Sequence, residues 1–225
     1  VELPSVLEFE RPSGGEESIA RAAELLSNAK FPVILNGGGV VIGGAIADTI
    51  QLAERLDAPV CCGYQHNDAF PGSHRLFAGP LGYNGSKAGM ELISKADVVL
   101  ALGTRLNPFS TLPGYGIDYW PAEAALVQVD VNPNRIGLTK PVTVGIAGDV
   151  KKVANAILAE LAATAGDAGR EKRKVLIAQT KADWAKELAA MDHEVDDAGT
   201  TWNQRAQAKE PDRMTARMAW RAIVE

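Results

Sequence analysis

The stretch Asp97-Val98-Val99-Leu100-Ala101-Leu102-Gly103-Thr104-Arg105 decides the fold class. After Asp97 it is apolar at every position until Gly103. A strand with one solvated face alternates polar and apolar residues, whereas a strand covered by helices on both faces does not. The run then stops in a glycine, a hydroxyl and a cation, which is turn chemistry. Residues 97–102 are therefore read as an interior strand and 103–105 as the loop at its C-terminal end.

Similar runs lie on either side. Upstream, Pro32-Val33-Ile34-Leu35 ends in Asn36-Gly37-Gly38-Gly39, and Pro59-Val60-Cys61-Cys62 ends at Gly63. Downstream, Ala125 to Val129 ends at Asp130, and Val142 to Ile146 leads to Gly148-Asp149. Helical spacing separates them. Ile19, Ala22, Ala23 and Leu26 share one face between Glu17 and Ala29, and Ser13 is placed to begin a capping box with Glu16. Ile42, Ile46, Ile50, Ala53 and Leu56 predict one continuous second helix. Ser86 to Lys95 is a short third helix, and Asp149 is the expected N-cap of a fourth with Val150, Val153, Ile157 and Leu161 on its face. Residues 63–85 and 106–121 read as long loops. About five strands in this order predict an α/β fold: a doubly wound, mostly parallel, Rossmann-like sheet with helices on both faces, ending near residue 165.

The flanks differ in character. Residues 1–16 carry Pro4, Pro12, Gly14 and Gly15 without periodicity and read as a linker from a missing N-terminal domain; the chain also begins without Met. Residues 17–165 form the expected central domain. Residues 166–225 read as a helical extension over 170–192, a polar linker over 193–212, and a new helix from Met214 to Val224 that leads into a missing C-terminal domain.

The 225 residues are 46% hydrophobic and 23% charged with a net charge of -5, the composition of a globular domain. No basic stripe predicts nucleic acid, and no apolar run or polybasic stretch predicts a membrane. The N-terminus has no signal-peptide pattern. The two cysteines, Cys61 and Cys62, are adjacent and read as free thiols in a reducing cytoplasm.

A nicotinamide-binding fingerprint fails. Gly37-x-Gly39-x-x-Ile42 lacks the third glycine, and the second strand ends in Cys61-Cys62-Gly63 instead of an acid. A weaker reading survives. Gly37, Gly38 and Gly39 precede a helix N-terminus, Gly103-Thr104-Arg105 adds a hydroxyl and a cation, and Asp130 and Asp149 offer carboxylates to a ribose or an adenine amine. Together they describe a mononucleotide or dinucleotide cleft. Turn formation and helix capping account for the same glycines and for Asp149 without any ligand. No Walker A motif, G-x-S-x-G elbow or zinc spacing is present, so no metal site is expected. His66 and His74 lie in one loop and are candidates for a shared active site.

The motifs taken in order resemble a known family. Pro32-Val33-Ile34-Leu35-x-Gly37-Gly38-Gly39, Gly79-Pro80-Leu81-Gly82-Tyr83-Asn84-Gly85, Ala96 through Arg105, Gln128-Val129-Asp130-Val131-Asn132 and Gly148-Asp149 resemble the central domain of the acetolactate synthase-like thiamine-diphosphate enzymes. Residues 63–74 and 107–121 look like the sulfoacetaldehyde acetyltransferase branch, and Met214 to Trp220 like the lead-in to its pyrophosphate-binding domain.

The resemblance implies a three-domain subunit. The first domain holds the aminopyrimidine ring and a glutamate; the third holds the diphosphate through Mg²⁺ and a Gly-Asp-Gly motif. The middle domain takes FAD or ADP in some relatives and nothing in others. The implied reaction is sulfoacetaldehyde and phosphate to acetyl phosphate and sulfite, with this chain inactive alone. The implied partners are the other domains of the polypeptide and further copies in a dimer or tetramer. Carried over by position, Gly37, Gly38, Gly39, Gly103, Thr104, Arg105, Asp130 and Asp149 match the nucleotide-contacting segments. Tyr83, Asn84 and Gly85 match a loop near a neighbouring subunit's thiamine site, with His66 and Asn67 as further candidates. An acetolactate synthase, a related decarboxylase and a stand-alone nucleotide-binding module remain as alternatives.

Overall fold

The computed structural model describes residues 10–191, so the linker over 193–212 and the helix from Met214 lie outside the described residues. The chain divides into two units, Val1–Thr180 and Lys181–Glu225. In the second unit the described residues, 181–191, are helical.

The first unit is built on six strands: β1 (Pro32–Asn36), β2 (Val60–Cys62), β3 (Phe77–Pro80), β4 (Val98–Leu102), β5 (Ala125–Asp130) and β6 (Val144–Ala147). Their order is β3-β2-β1-β4-β5-β6, and every pairing is parallel. The α/β doubly wound sheet expected from the apolar runs is present. β1 and β4 pair from Pro32↔Val98 to Asn36↔Leu102. These two strands are where the strand order reverses, so their C-terminal ends flank a crevice.

The helices are α1 (Glu16–Asn28), α2 (Gly38–Ile42), α3 (Ile46–Leu56), α4 (Lys87–Ile93), α5 (Val150–Glu160) and α6 (Arg170–Met191). α5 packs against both α1 and α3, while α4 packs on β2 and β3. Right-handed crossovers put α4 on the face opposite α3, because the chain crosses the sheet in opposite directions through them. β1, β2 and β4 are buried at every residue, as strands between two helical layers must be. Each fully buried Val, Leu or Ile there stabilises the fold by roughly 1.5–3 kcal/mol. β6 departs from this pattern: Val144 and Ile146 are buried while Gly145 and Ala147 face out, as suits an edge strand.

Three expectations are corrected. The span 63–85 is not all loop, because Phe77–Pro80 pairs with β2 as the other edge strand. The helix expected from Ile42 to Leu56 is two helices broken at Gly43-Gly44; Gly44 has φ +60°, and Ile42 is 80% exposed instead of facing the core. Ser13 forms no capping box. It bridges Gly148 in antiparallel fashion, and Gly15 stands at the N-cap of α1 without a side-chain cap. Asp149, by contrast, caps α5 as its position foretold.

Arg173 of α6 is 1% exposed, and its guanidinium donates to the carbonyls of Lys30, Leu56, Asp57, Gly166 and Ala168 at 2.6–2.9 Å. The start of α6 is thereby pinned to the ends of α1 and α3. Among the described residues no helix is long and apolar enough to cross a membrane.

Candidate functional site

The ends of β1 and β4 meet backbone to backbone. Gly37 N–H donates to the Leu102 carbonyl and Gly39 N–H to the Gly103 carbonyl, each at 2.9 Å. A Cβ on Gly39 would lie 2.6 Å from Gly103 Cα. Only glycine permits that approach. Two of the three amides expected to face a ligand are therefore spent inside the fold, and the glycines act first as a joint between two strand ends. Above Gly38 sits the imidazole of His66, where an added Cβ would meet Cε1 and Nε2 at 2.6 Å.

A cleft of about 310 Å³ opens over this joint. Gly38, Gly39, Gly103, Thr104, Arg105, Asp130 and His66 line it, as do Gln65, Asn107, Ser110, Asn132 and Arg135. A second lobe of about 370 Å³ shares Gly39, Ile42, Gly103 and Asp130 and adds Arg11 and Asp149. The structure thus gathers the residues expected at one site, with Gly37 packed beneath it against Thr104.

Their chemistry differs in detail from the expectation. Thr104 is 6% exposed, and its hydroxyl accepts from Leu106 N–H. Arg105 and Arg135 are both exposed and bring two cations to the mouth of one cleft. Asp130 Oδ1 accepts from Asn132 N–H at 2.8 Å, and Asn132 Oδ1 accepts from Asn134 N–H, which shapes the turn that carries Arg135. Asp149 accepts from the amides of Lys151 and Lys152 and from Arg11. Burial pushes its pKa up, but the hydrogen bond from Arg11, the Lys152 amide, the Arg11 charge and the Lys151 amide outweigh this and hold it below its ordinary value. With three donors already in place, this carboxylate serves α5 before any ribose.

Gln128 was not anticipated. It is 1% exposed, its Nε2 donates to the carbonyls of Thr104 and Arg135, and its Oε1 accepts from Gly137 N–H. One amide thus fastens the loops of β4 and β5 together and sets both arginines. A lone polar residue inside the apolar run Leu126–Val129 was the available signal. Arg135, one residue beyond Asn132-Pro133-Asn134, announced itself only through the turn it follows.

The remaining loop candidates separate. His74 Nε2 lies 3.3 Å from Glu54 Oε1 and its ring packs edge-on against Phe70, so it does not share the cleft with His66. Asn67 is exposed in a short 3-10 turn and does not line the cleft. Tyr83 and Asn84 belong to an aromatic surface. Tyr64 stands edge-on to Tyr83 at 5.9 Å and stacks on Phe109 at 6.1 Å. Tyr83 N–H donates to the Phe109 carbonyl, and Tyr115 donates its hydroxyl to Gly85. Asn84 and Tyr115 hold φ of +54°, a strained value for residues with a Cβ. Ser110 joins this surface to the cleft: it lines the cleft, accepts from Tyr64 N–H, and takes the Tyr119 hydroxyl on its carbonyl.

The donor set does not fit a magnesium diphosphate. The carboxylates at the cleft are already engaged within the fold, Asp130 by the Asn132 amide and Asp149 by Arg11 and the Lys151 and Lys152 amides. Among the described residues no cluster of three or more His, Cys, Asp or Glu could hold a metal ion. The sequence has no Gly-Asp-Gly.

Comparison with known proteins agrees with this geometry. The model of the family "thiamine pyrophosphate enzyme, central domain" matches residues 19–157. A sulfoacetaldehyde acetyltransferase of Roseovarius nubinhibens is 75% identical over 223 residues, covering 99% of this chain and 37% of that protein. One from Rhodobacter capsulatus is 67% identical over 223 residues, covering 99% of this chain and 38% of that protein. The chain therefore spans under two fifths of the length of these relatives. Benzoylformate decarboxylase from Polynucleobacter necessarius superposes with a TM-score of 0.57 at 22% identity, over 72% of this chain and 30% of that one, and shares the fold. The parallel sheet with its order reversal at β1 and β4, and the family match that spans β1 to α5, lead to one conclusion: this chain belongs to the thiamine pyrophosphate enzyme central-domain family.

Proposed function

We propose that this chain is the central domain of a sulfoacetaldehyde acetyltransferase, which converts sulfoacetaldehyde and phosphate to acetyl phosphate and sulfite. The observation that carries the reading is 75% identity over 223 residues to a protein of that name, a span that includes both long loops. Thiamine diphosphate supplies the carbanion chemistry. In this reading it is held with Mg²⁺ by domains on either side, reached through the segments before residue 17 and after residue 165. The subunit works in the cytoplasm as a dimer or tetramer.

Two roles fall to this chain's own residues. The aromatic surface of Tyr64, Tyr83, Phe109 and Tyr115, with Asn84 and Gly85 in its turn, borders the active site of the assembled enzyme. The cleft over Gly38, Gly39, Gly103, Thr104, Arg105, Asp130 and Arg135 takes a mononucleotide or dinucleotide, with Gly37 supporting the turn and Asp149 the adjoining lobe. Two arginines at one mouth favour a phosphate through paired, charge-assisted hydrogen bonds.

The test is product analysis with the full-length enzyme. Phosphate-dependent release of sulfite from sulfoacetaldehyde, with acetyl phosphate formed in equal amount, is expected. Acetolactate from pyruvate without that activity would sink the assignment.

A further inference from the structure

We propose that the apolar recess on the α4 face of the sheet, walled by Trp120 and Lys140, is a second ligand site that takes a small organic monoanion with an apolar, ring-sized body. It shares no residue with the cleft at the ends of β1 and β4 and needs no nucleotide there.

The recess exists because two crossovers carry no α-helix. The chain passes from β3 to β4, from β4 to β5 and from β5 to β6 in the same direction across the sheet, so right-handed crossovers put these connections on the α4 face. Such a connection is usually a helix. α4 serves the first and packs on β2 and β3. Between β4 and β5 there is only the 3-10 turn Pro108–Ser110, and between β5 and β6 only Pro133–Arg135. Cys61 Sγ reaches the Gly89 carbonyl of α4 at 3.7 Å, and the parallel register carries that face through Leu35 and Ala101 to Gln128. Val99 and Leu126, two residues earlier on β4 and β5, therefore look out on the half of this face that no helix covers among the described residues.

A cavity of about 500 Å³ stands there, within the range of about 300 to 1,000 Å³ for ligand sites. Val99, Leu126 and Val142 give it an apolar floor, and Trp120 and Pro121 give it a wall. Lys140 Nζ stands 5.0 Å from the centre of the Trp120 ring, a cation held on an aromatic face. Among the described residues neither that ammonium nor the indole N–H meets an acceptor. The loop that carries Lys140 is fixed on both sides: Thr139 donates its hydroxyl to the Leu106 carbonyl at 2.8 Å, and Thr143 Oγ1 accepts from Leu126 N–H at 3.1 Å. One cation beside one N–H donor matches a single negative charge; a phosphate dianion would be left half neutralised. Val99 and Leu126 are buried and Trp120 and Val142 half-buried, whereas Tyr83, Phe109 and Tyr115 of the aromatic surface stand 50–58% exposed. Such a recessed floor buries a small apolar body but offers no protruding anchor to a protein surface.

Calorimetry on the full-length enzyme saturated with thiamine diphosphate tests this with 3-phenylpropanoate and its uncharged amide, 3-phenylpropanamide. Lys140→Gln removes the cation, and Ala124→Phe fills the cavity from its own lining. Circular dichroism confirms that each variant is folded. The carboxylate is expected to bind the native enzyme about tenfold more tightly than the amide. Lys140→Gln should erase that difference and leave amide binding unchanged, while Ala124→Phe should weaken both probes about tenfold. Equal binding of acid and amide, untouched by Lys140→Gln, would overturn the proposal. So would the absence of saturable binding to the native enzyme, which is the result if another domain or a second copy covers this face. Should Ala124→Phe fail to fold, the comparison of native enzyme with Lys140→Gln decides alone.

Discussion

Arg11 Nη1 lies 2.9 Å from Asp149 Oδ2, so the segment entering the domain is fastened to the N-cap of α5. Asp149 N–H in turn donates to the Pro12 carbonyl at 2.7 Å, and Lys152 donates to the Arg11 carbonyl at 2.8 Å. Asp149, through its carboxylate and its amide, thus joins the start of α5 to the chain's entry.

Replacing Asp149 by Ala should cost about 1–2 kcal/mol in urea unfolding, the usual loss for an N-cap with an added partner. The cost should depend on pH. A carboxyl whose folded pKa lies below its unfolded value of 3.8 contributes fully above that value and loses its contribution as pH falls through the folded one. Asp149→Asn and the native protein should therefore differ in Tm near neutrality and converge below pH 3.8. A gap that widens in acid would contradict the assigned partners.

Arg173→Met should destabilise the domain by about 3 kcal/mol or more, because five carbonyls lose their donor inside the protein. Arg173→Lys should recover little of this, since a point ammonium cannot reach carbonyls spread around a planar fork. Thermal unfolding of the two variants measures the difference. Near-native stability in Arg173→Lys would show that charge alone is needed.

Gly39→Ala should cost about 1–3 kcal/mol by forcing the ends of β1 and β4 apart. Backbone, not a flexible tip, stands 2.6 Å from the added atom. Hydrogen exchange should quicken at the Gly37 and Gly39 amides before it does in the interior of β4.

Cys61 and Cys62 should resist thiol reagents in the folded protein. Burial first, then the neighbouring thiol, raises the Cys61 pKa; burial first, then Asp68, raises that of Cys62 to about 12. With so little thiolate at pH 8, labelling should be slow until denaturant is added and then reach both residues. Rapid labelling of the native protein would show that the end of β2 opens readily.

Most of the fold was legible in the apolar runs because parallel strands between helices carry few polar positions to confuse the pattern. β3 escaped for the opposite reason. Phe77-Ala78-Gly79-Pro80 holds a glycine, which weakens a strand, and a proline at its last position, which an edge strand accommodates, and edge position is a property of the assembled sheet. The break between α2 and α3 was hidden because Ile42 falls on the period of a helix it does not join. The cleft was foreseen as a set of residues, since glycine, Thr-Arg and Asp mark strand ends. The direction of the amides was not, because Gly37 and Gly39 bond to Leu102 and Gly103, 65 and 64 residues further along the chain, a pairing that no local pattern reveals. His66 was singled out, but its place over Gly38 depends on the fold of a loop without periodicity.

A Cβ on Gly82, at φ +79°, would fall 1.8 Å from the Phe109 carbonyl oxygen, and the next amide donates to that same oxygen. The turn after β3 and the turn after β4 are in effect one rigid plate. A residue inserted in either would tilt the other, so the two segments can change shape only together.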